Sequence, residues 1–316
     1  MLIFKKLVKK ILPNFIKSKL KIFKKKILSN IKLRLPIRVV KSRQYLDIRQ
    51  VNYEQFKFNY YLVDSLVTNS LVLNKPWEPH LTQFVKTYSE NFNLRNIVDA
   101  GSNFGYHSLL FSQFVNGSVY SFEPQPQNFT LLQKNINLNN TINIFSFEYA
   151  LSDKDTKSKL PIISNNYQNS NMGNFTINEL TSNFYVKIES RLLDSFNFNN
   201  IDLIKLDVQG WEKKVLEGSR KTIAEYKPIL IVELEDFQLE KANIDSGNLI
   251  NYLNEIGYDI YFLEYKYPSD HVCVHYDKVD EFHHIFGKYI KKHNENNKFN
   301  NNLKHGINKK ISFNYE

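Results

Sequence analysis

Asp99, Glu123 and Asp207 are the side chains around which this sequence could build chemistry, because each closes or follows a short apolar run of the kind that forms a buried strand. The first run, Ile97-Val98-Asp99-Ala100, leads straight into Gly101-Ser102-Asn103-Phe104-Gly105 and then into an apolar, helix-like stretch. The second, Val119-Tyr120-Ser121-Phe122, ends at Glu123, 24 positions after Asp99. Glycine permits a tight turn between strand and helix, and Asn103, between the two glycines, is the non-glycine type most tolerant of left-handed backbone. The helix N-terminus that follows offers unpaired N–H groups to a carboxylate or a phosphate. An acidic side chain at the end of the next strand is placed to take both hydroxyls of a ribose. Together these parts describe half of a nucleotide-shaped pocket.

The turn itself narrows the ligand. A dinucleotide fingerprint requires Gly-x-Gly-x-x-Gly, whereas here Gly101 and Gly105 are separated by three residues and Asp99 stands ahead of them. A carboxylate at the mouth of a phosphate cradle repels a pyrophosphate and suits a cation, such as the ammonium and sulfonium of S-adenosylmethionine. No Gly-x-x-x-x-Gly-Lys-Ser/Thr phosphate loop occurs anywhere. A third segment, Ile204-Lys205-Leu206-Asp207-Val208-Gln209-Gly210-Trp211-Glu212, again runs from an apolar strand through an acid and a glycine turn to a helix. Asp207 could accept a proton from a substrate hydroxyl, orient that hydroxyl, or hold a divalent cation. Glu212 falls in the first turn of the next helix, where the dipole favours a negative charge whether or not it has a chemical role. Lys205 shares a strand face with Asp207 and is placed to pair with a carboxylate there. Glu233 and Glu235 end the following strand and are a third acidic contribution.

The elements that must position these residues alternate. Residues 41–95 read as a mostly helical or irregular lead-in, with a Pro76-Trp77-Glu78-Pro79 turn before a helix from about His80 to Glu90. Then come a strand at 96–100, a helix at 106–114, a strand at 118–122, a helix at 128–137 and a strand at 142–151. After an irregular stretch the alternation resumes with a strand at 202–207, a helix from Glu212, a strand at 228–234, a helix at 246–255 and a strand at 260–263. Such alternation implies βαβ units and a mainly parallel sheet flanked by helices, with ligands at the carboxyl ends of the strands, where Asp99, Glu123 and Asp207 fall. The reading divides the chain into a basic amphipathic extension (1–40), the lead-in (41–95), a catalytic domain (96–287) and a basic Asn/Lys-rich tail (288–316).

Charge is distributed unevenly. The net charge is +10, yet residues 1–38 hold 13 Lys/Arg and no Asp/Glu, so the other 278 carry 29 basic against 32 acidic side chains. That acidic body argues against a nucleic-acid groove across the catalytic face. In the extension, Leu2, Phe4, Leu7, Val8, Ile11 and Leu12 recur at helical spacing among lysines, and the pattern resumes after Pro13 up to Ile31. Two basic amphipathic helices of this kind suit an anionic membrane surface or pack as a solvated tail. No apolar run approaches the roughly 18 residues a membrane span needs, and no signal peptide is apparent, so the expectation is a cytoplasmic protein, with residues 1–31 either peripheral on an anionic membrane or a solvated tail. The single cysteine, Cys273, excludes an internal disulfide framework. His271, Cys273 and His275 alternate along an expected strand near His283 and His284, but alternation is what a half-buried sheet face shows, and no metal is assigned to them.

The segments Val98 to His107, Phe122 to Phe129, Ala150-Leu151-Ser152-Asp153 and Ile204 to Glu212 together resemble the FkbM-type S-adenosylmethionine-dependent methyltransferases, in the same order. The resemblance covers roughly residues 77–235. It implies the class I methyltransferase fold, Rossmann-like, with a seven-stranded sheet whose last strand runs antiparallel, and methyl transfer to a hydroxyl of a sugar, glycan or small metabolite. It places Asp99, Gly101, Asn103 and Gly105 at the methionine end of the cofactor, Glu123 on the ribose, and Ala150 and Leu151 beside the adenine. Asp207 matches the acid near the transferred methyl, and His107 matches a residue on the first helical turn that contacts substrate or cofactor; with Glu212 these are the candidate catalytic residues. Gln209 and Trp211 depart from the family pattern, which has Glu at the first position and Tyr or a small residue at the second. The Asn-rich insert at 165–174 is where the family varies and is expected to shape the acceptor site. Two other functions fit the same residues: RNA methylation with the basic extension as anchor, and a degenerate, membrane-tethered binding protein.

Overall fold

A computed structural model describes residues 38–39, 47–61, 66–162, 177, 184–263, 270–292 and 307–313. The chain divides into two units, Met1–Arg38 and Val39–Glu316, and the main sheet with its flanking helices belongs to the second. The amphipathic helices expected before residue 38 and the Asn-rich insert at 165–174 lie outside the described residues.

In chain order the elements are strands β1 (Arg38–Val39), β2 (Ile48–Tyr53) and β3 (Phe56–Tyr61), helices α1 (Leu66–Val72) and α2 (Pro79–Asn91), β4 (Asn96–Ala100), α3 (Tyr106–Phe111), β5 (Val119–Phe122), α4 (Pro126–Leu138), β6 (Ile144–Phe147), β7 (Ala150–Leu151), β8 (Thr156–Pro161) and β9 (Phe184–Arg191). They continue with β10 (Ile201–Leu206), α5 (Glu212–Glu217), α6 (Arg220–Tyr226), β11 (Ile229–Glu233), α7 (Asp236–Lys241), α8 (Ser246–Glu255), β12 (Tyr258–Leu263), β13 (Asp270–His275), α9 (Val279–Phe286), β14 (Ile290–Lys292) and β15 (Lys309–Ile311).

Nine strands form the main sheet in the order β14-β15-β12-β13-β11-β10-β4-β5-β6. The run β11-β10-β4-β5-β6 is parallel, and β13 enters antiparallel between β11 and β12. This is the arrangement expected of the class I fold, an α/β sheet with one reversed strand. Two strands exceed the expected seven: β14 and β15 come from what read as a C-terminal tail, and β15 pairs parallel with β12 at the sheet edge. Their apolar content is low, with Ile290 half-buried and Ile311 fully buried, too little periodicity to announce a strand.

Alternate residues of the central strands face opposite layers. Ile97, Leu203, Ile229 and Ile231 pack under α2, α3 and α9, through Phe84, Leu109, Phe111, Phe282 and Phe286. Val98, Ile204, Leu206, Leu230 and Val232 pack under α5 and α8, through Val215, Leu216, Leu249 and Leu253. The polar residues Asp99, Lys205 and Glu233 sit in phase with the first set, so strand periodicity alone puts them on the α2/α3 side.

The lead-in departs from its helical reading. Ile48–Tyr53 and Phe56–Tyr61 form an antiparallel hairpin, with Tyr53 opposite Phe56 across a two-residue turn in which Glu54 adopts φ +51°. That turn lacks the Asn-Gly or Asp-Gly pair that marks a hairpin in sequence. The single strand expected at 142–151 is two: β6 belongs to the main sheet, whereas β7 pairs with β9, which also carries β8. No helix among the described residues is long and apolar enough to cross a membrane.

Candidate active site

The strand-to-helix turn after β4 is shaped by close approach of backbones. Gly101 has φ +83°, and a Cβ there would lie 1.9 Å from the Asp207 carbonyl oxygen, because the end of β10 presses against the end of β4. Only glycine meets both demands. The N–H groups of Gly101 and Ser102 both donate to the Phe122 carbonyl, at 3.0 and 2.9 Å. Asn103 takes the left-handed conformation, φ +50°, and its N–H donates to Glu123 Oε2 at 2.9 Å. The second carboxylate oxygen of Glu123 accepts from the Gln125 N–H at 2.8 Å. Glu123 therefore stands on a backbone nest, and burial pushes its carboxyl up to about 7 against the pull of those two donors.

A cleft opens beside this turn, lined by Gly101, Glu123, Tyr149, Leu151, Asp207 and Trp211 among others. Ala150 also lines it, and Gln125, on the same wall, keeps its Oε1 buried without a partner. Of the residues expected to hold a cofactor, Gly101, Glu123, Ala150 and Leu151 line the cleft, whereas Asp99, Asn103 and Gly105 are not among its lining residues. Asn103 holds Glu123 through its backbone, and Gly105, φ +92°, opens α3.

Asp99 lies one layer down. Its Oδ2 accepts from the Ser108 hydroxyl at 2.6 Å, and Ser108 in turn accepts from Ser121 at 2.8 Å. Lys205, opposite Asp99 in the β4/β10 ladder, reaches Asp99 Oδ1 at 3.7 Å and Asp207 Oδ2 at 3.2 Å. Burial alone would lower the pKa of this ammonium, but the carboxylates of Asp207 and Asp99 raise it, so Lys205 is charged. Burial would likewise raise Asp207, yet Lys205 and the Gln209 amide bring it below its ordinary value. The Asp207 side chain keeps 30% exposure and lines the cleft.

The polar row continues across the sheet. Gln209 Nε2 donates to Asp207 Oδ1 at 2.8 Å and to Glu233 Oε2 at 3.2 Å. Burial, then the charges of Asp207 and Asp270, push the Glu233 carboxyl well above its ordinary value. Glu233 faces Asp270 in the β11/β13 ladder, and His80 Nε2 lies 2.5 Å from Asp270 Oδ2. Two residues earlier, Glu78 Oε2 lies 2.8 Å from His107 Nε2. The turn before α2 thus straddles the row, tied to α3 at one end and to β13 at the other. Sequence reasoning named Glu78 only as part of a turn and His80 only as a helix start, and passed over Asp270; the signal available was an acid and a histidine flanking Pro79.

Glu212 stands in the first turn of α5, where its sequence position put it, and its side chain turns back to the preceding turn. Its Oε1 accepts the N–H groups of Val208 and Gly210, both at 3.1 Å, and so braces the turn that presents Asp207 and Gln209. Burial raises its carboxyl to about 7 despite those bonds. Among the described residues no group of three or more His, Cys, Asp and Glu is placed to hold a metal ion. His271 and Cys273 are buried in the sheet, and His283 bonds the Tyr261 hydroxyl at 2.6 Å.

The site brings together a buried carboxylate on a backbone nest, an unpartnered amide oxygen on the wall, and a row in which acids outnumber the one lysine, a set whose chemistry suits a ligand with hydroxyls and a positive charge. The sequence model of the Methyltransferase FkbM domain matches residues 99–260, just over half of the chain. A curated relative, Methyltransferase 1 of Beauveria bassiana (strain ARSEF 2860), is 26% identical over 174 residues, covering 48% of this chain and 70% of its own length. Among solved structures, the methyltransferase FkbM from Methylobacillus flagellatus KT aligns at 18% identity over 66% of this chain, with a TM-score of 0.41, and this chain covers 52% of its length. SMU.1697c from Streptococcus mutans, solved in complex with SAH, aligns at 10% identity over 63% of this chain and 99% of its own, with a TM-score of 0.39.

Proposed function

This chain belongs to the FkbM methyltransferase family, and from that premise we propose that it transfers the methyl group of S-adenosylmethionine to a hydroxyl oxygen of a sugar, glycan or other small metabolite. The observation that carries the reading is the cleft at the strand ends, where Gly101, Glu123 and Asp207 meet although they lie far apart in sequence. In this reading Glu123 takes the ribose hydroxyls, Ala150 and Leu151 flank the adenine, and Gly101 leaves room for the methionine end. S-adenosylmethionine supplies a methyl on a positively charged sulfur that leaves as a neutral thioether. The protein's task is then alignment and exclusion of water, and orientation of an incoming oxygen is worth several kcal/mol. Asp207, ionised and held by Lys205 and Gln209, is placed to accept a hydrogen bond from the acceptor hydroxyl and orient it.

The extension at 1–31 is proposed to hold the protein on an anionic membrane surface, on the strength of its 13 basic and no acidic residues up to position 38. RNA as acceptor is disfavoured by the excess of acidic side chains in the rest of the chain. Calorimetry with S-adenosylmethionine and S-adenosylhomocysteine tests the cofactor assignment, and binding of neither refutes it. Labelled methyl transfer to glycans, lipids, small alcohols and RNA then tests the acceptor class. Transfer to RNA with a steep salt dependence would replace the small-molecule reading, and cofactor binding with no transfer to any of them would point to a binding protein.

A further inference from the structure

Among the described residues that line the cleft, Gln125 alone has a buried side-chain atom with no hydrogen-bond partner, its Oε1. Gln125 stands between β5 and α4 with extended backbone, φ −78° and ψ +114°, immediately ahead of Pro126, the first residue of α4. A residue in this place commonly turns a short polar side chain onto the first N–H groups of its helix. Gln125 does not cap α4 in that way. Its side chain is buried and reaches to the end of β8, where Nε2 donates to the Pro161 carbonyl at 2.7 Å. That bond decides which end of the amide is which. A carbonyl only accepts, so the nitrogen faces Pro161 and the oxygen is left over as an acceptor. A buried amide oxygen without a donor costs the fold stability, and on the wall of a ligand cleft it is available to a ligand N–H or O–H.

The surroundings narrow the donor. Gln125 shares the cleft with Ala150, Leu151, Leu160, Ile177 and Trp211. Ala150, Leu160 and Ile177 belong to one buried apolar cluster, with Trp211 packed against it. Trp211 is itself held there, its Nε1 donating to Ser152 Oγ at 3.1 Å. Leu160 directly precedes Pro161, so the strand that supplies part of this apolar wall also tethers the amide. The Gln125 N–H holds Glu123 Oε1 at 2.8 Å, which ties the amide to the carboxylate assigned to the ribose. A neutral acceptor among apolar side chains suits a flat ring that brings an uncharged N–H, and does not suit a full positive charge. S-adenosylmethionine carries three kinds of donor. The ribose hydroxyls are assigned to Glu123 and the ammonium to the methionine end beside Gly101, which leaves the exocyclic amino group of adenine.

Resting on the S-adenosylmethionine reading of this cleft, we propose that Gln125 selects the base: its Oε1 accepts a hydrogen bond from the exocyclic amino group of adenine. In hypoxanthine, position 6 carries a carbonyl oxygen, so two acceptors face each other and neither is paired. A site built to bond a ligand N–H rejects the analogue that lacks it, because its own buried polar atom is then stranded. The cleft therefore distinguishes the adenine cofactor from its deaminated form.

The test is calorimetry on the full chain with S-adenosylhomocysteine and S-inosylhomocysteine, which differ only at position 6 of the purine and in the N1 proton that accompanies the change. Wild type is expected to bind the adenine ligand roughly ten- to a hundredfold more tightly. Gln125→Leu removes the acceptor and is expected to bring the two affinities to within roughly threefold of each other. The ratio of affinities is the readout, since a role confined to holding β8 against α4 weakens both ligands alike and leaves the ratio unchanged. The wild-type comparison needs no variant, so it decides even if Gln125→Leu does not fold. Equal or tighter binding of S-inosylhomocysteine by wild type, or a preference for adenine that Gln125→Leu keeps, overturns the role of Gln125 and leaves the S-adenosylmethionine reading standing. Binding of neither ligand by wild type overturns both.

Discussion

Replacing Glu123 by glutamine and following affinity for S-adenosylhomocysteine against pH isolates the residue assigned to the ribose. The carboxyl sits at about 7 in the folded protein against an ordinary 4.5, because burial outweighs two backbone N–H donors. If only the carboxylate takes the ribose hydroxyls, the competent fraction rises from about one-tenth near pH 6 to about nine-tenths near pH 8, and affinity rises about tenfold with it. Glutamine has no such transition and loses charge-assisted bonds, so Glu123→Gln binds more weakly near pH 8 by roughly 2 to 4 kcal/mol and shows a flat profile. The same shift has a stability consequence of opposite sense. A carboxyl whose pKa is raised on folding binds more protons when folded, so its contribution falls as pH climbs from 4.5 through 7. The full shift is worth about 3 kcal/mol as an upper figure, since about 1.4 kcal/mol accompanies each unit. The ligand-free glutamine variant is therefore less sensitive to pH in urea melts over that window. A wild-type affinity independent of pH, or a variant with the wild-type slope, refutes the assignment of Glu123.

Other perturbations read the same architecture. Gly101→Ala places a methyl group 1.9 Å from the Asp207 carbonyl in a left-handed conformation, and is expected to cost about 2 to 4 kcal/mol in denaturant melts and to abolish S-adenosylhomocysteine binding by calorimetry. Lys205→Met leaves the buried Asp99 and the half-buried Asp207 without their shared cation, a loss of roughly 3 to 5 kcal/mol, part of which Asp99→Asn restores in the double variant. Removing residues 1–42, so that the chain begins at Arg43, is expected to abolish co-sedimentation with phosphatidylserine vesicles while leaving cofactor affinity intact; equal sedimentation of both chains removes the membrane assignment.

Much of the fold was legible because the central strands are apolar runs ended by a turn, and each run found its place in the parallel part of the sheet. The parts that were not legible share a physical reason. The hairpin of β2 and β3 alternates apolar and polar residues well, but its turn is Glu54-Gln55 and carries no glycine or asparagine. Strands β14 and β15 bring too few apolar residues to be recognised alone; β15 is a strand because β12 offers it an edge, and β14 because β15 then offers the next one. Pairing of that kind depends on tertiary context, which no local pattern carries. In the site, Asp99, Glu123 and Asp207 could be found from their place at strand ends. The contact between Gly101 and the Asp207 carbonyl could not, since nothing in either segment announces the other.

Glu123 and Glu212 show how far residue type can take such a reading. Both are buried glutamates after a strand, both accept two backbone N–H bonds from the turn beside them, and burial lifts both to about 7. Chemistry does not distinguish them; what does is that Glu123 lines the cleft and Glu212 lies beneath the turn that presents Asp207. Glu212→Gln should thus flatten the pH dependence of stability as Glu123→Gln does, yet keep the affinity for S-adenosylhomocysteine and its rise with pH. Calorimetry on the two variants side by side separates the roles. Equal loss of binding in both would mean that the turn at 208–211, rather than the carboxylate of Glu123, governs the cofactor.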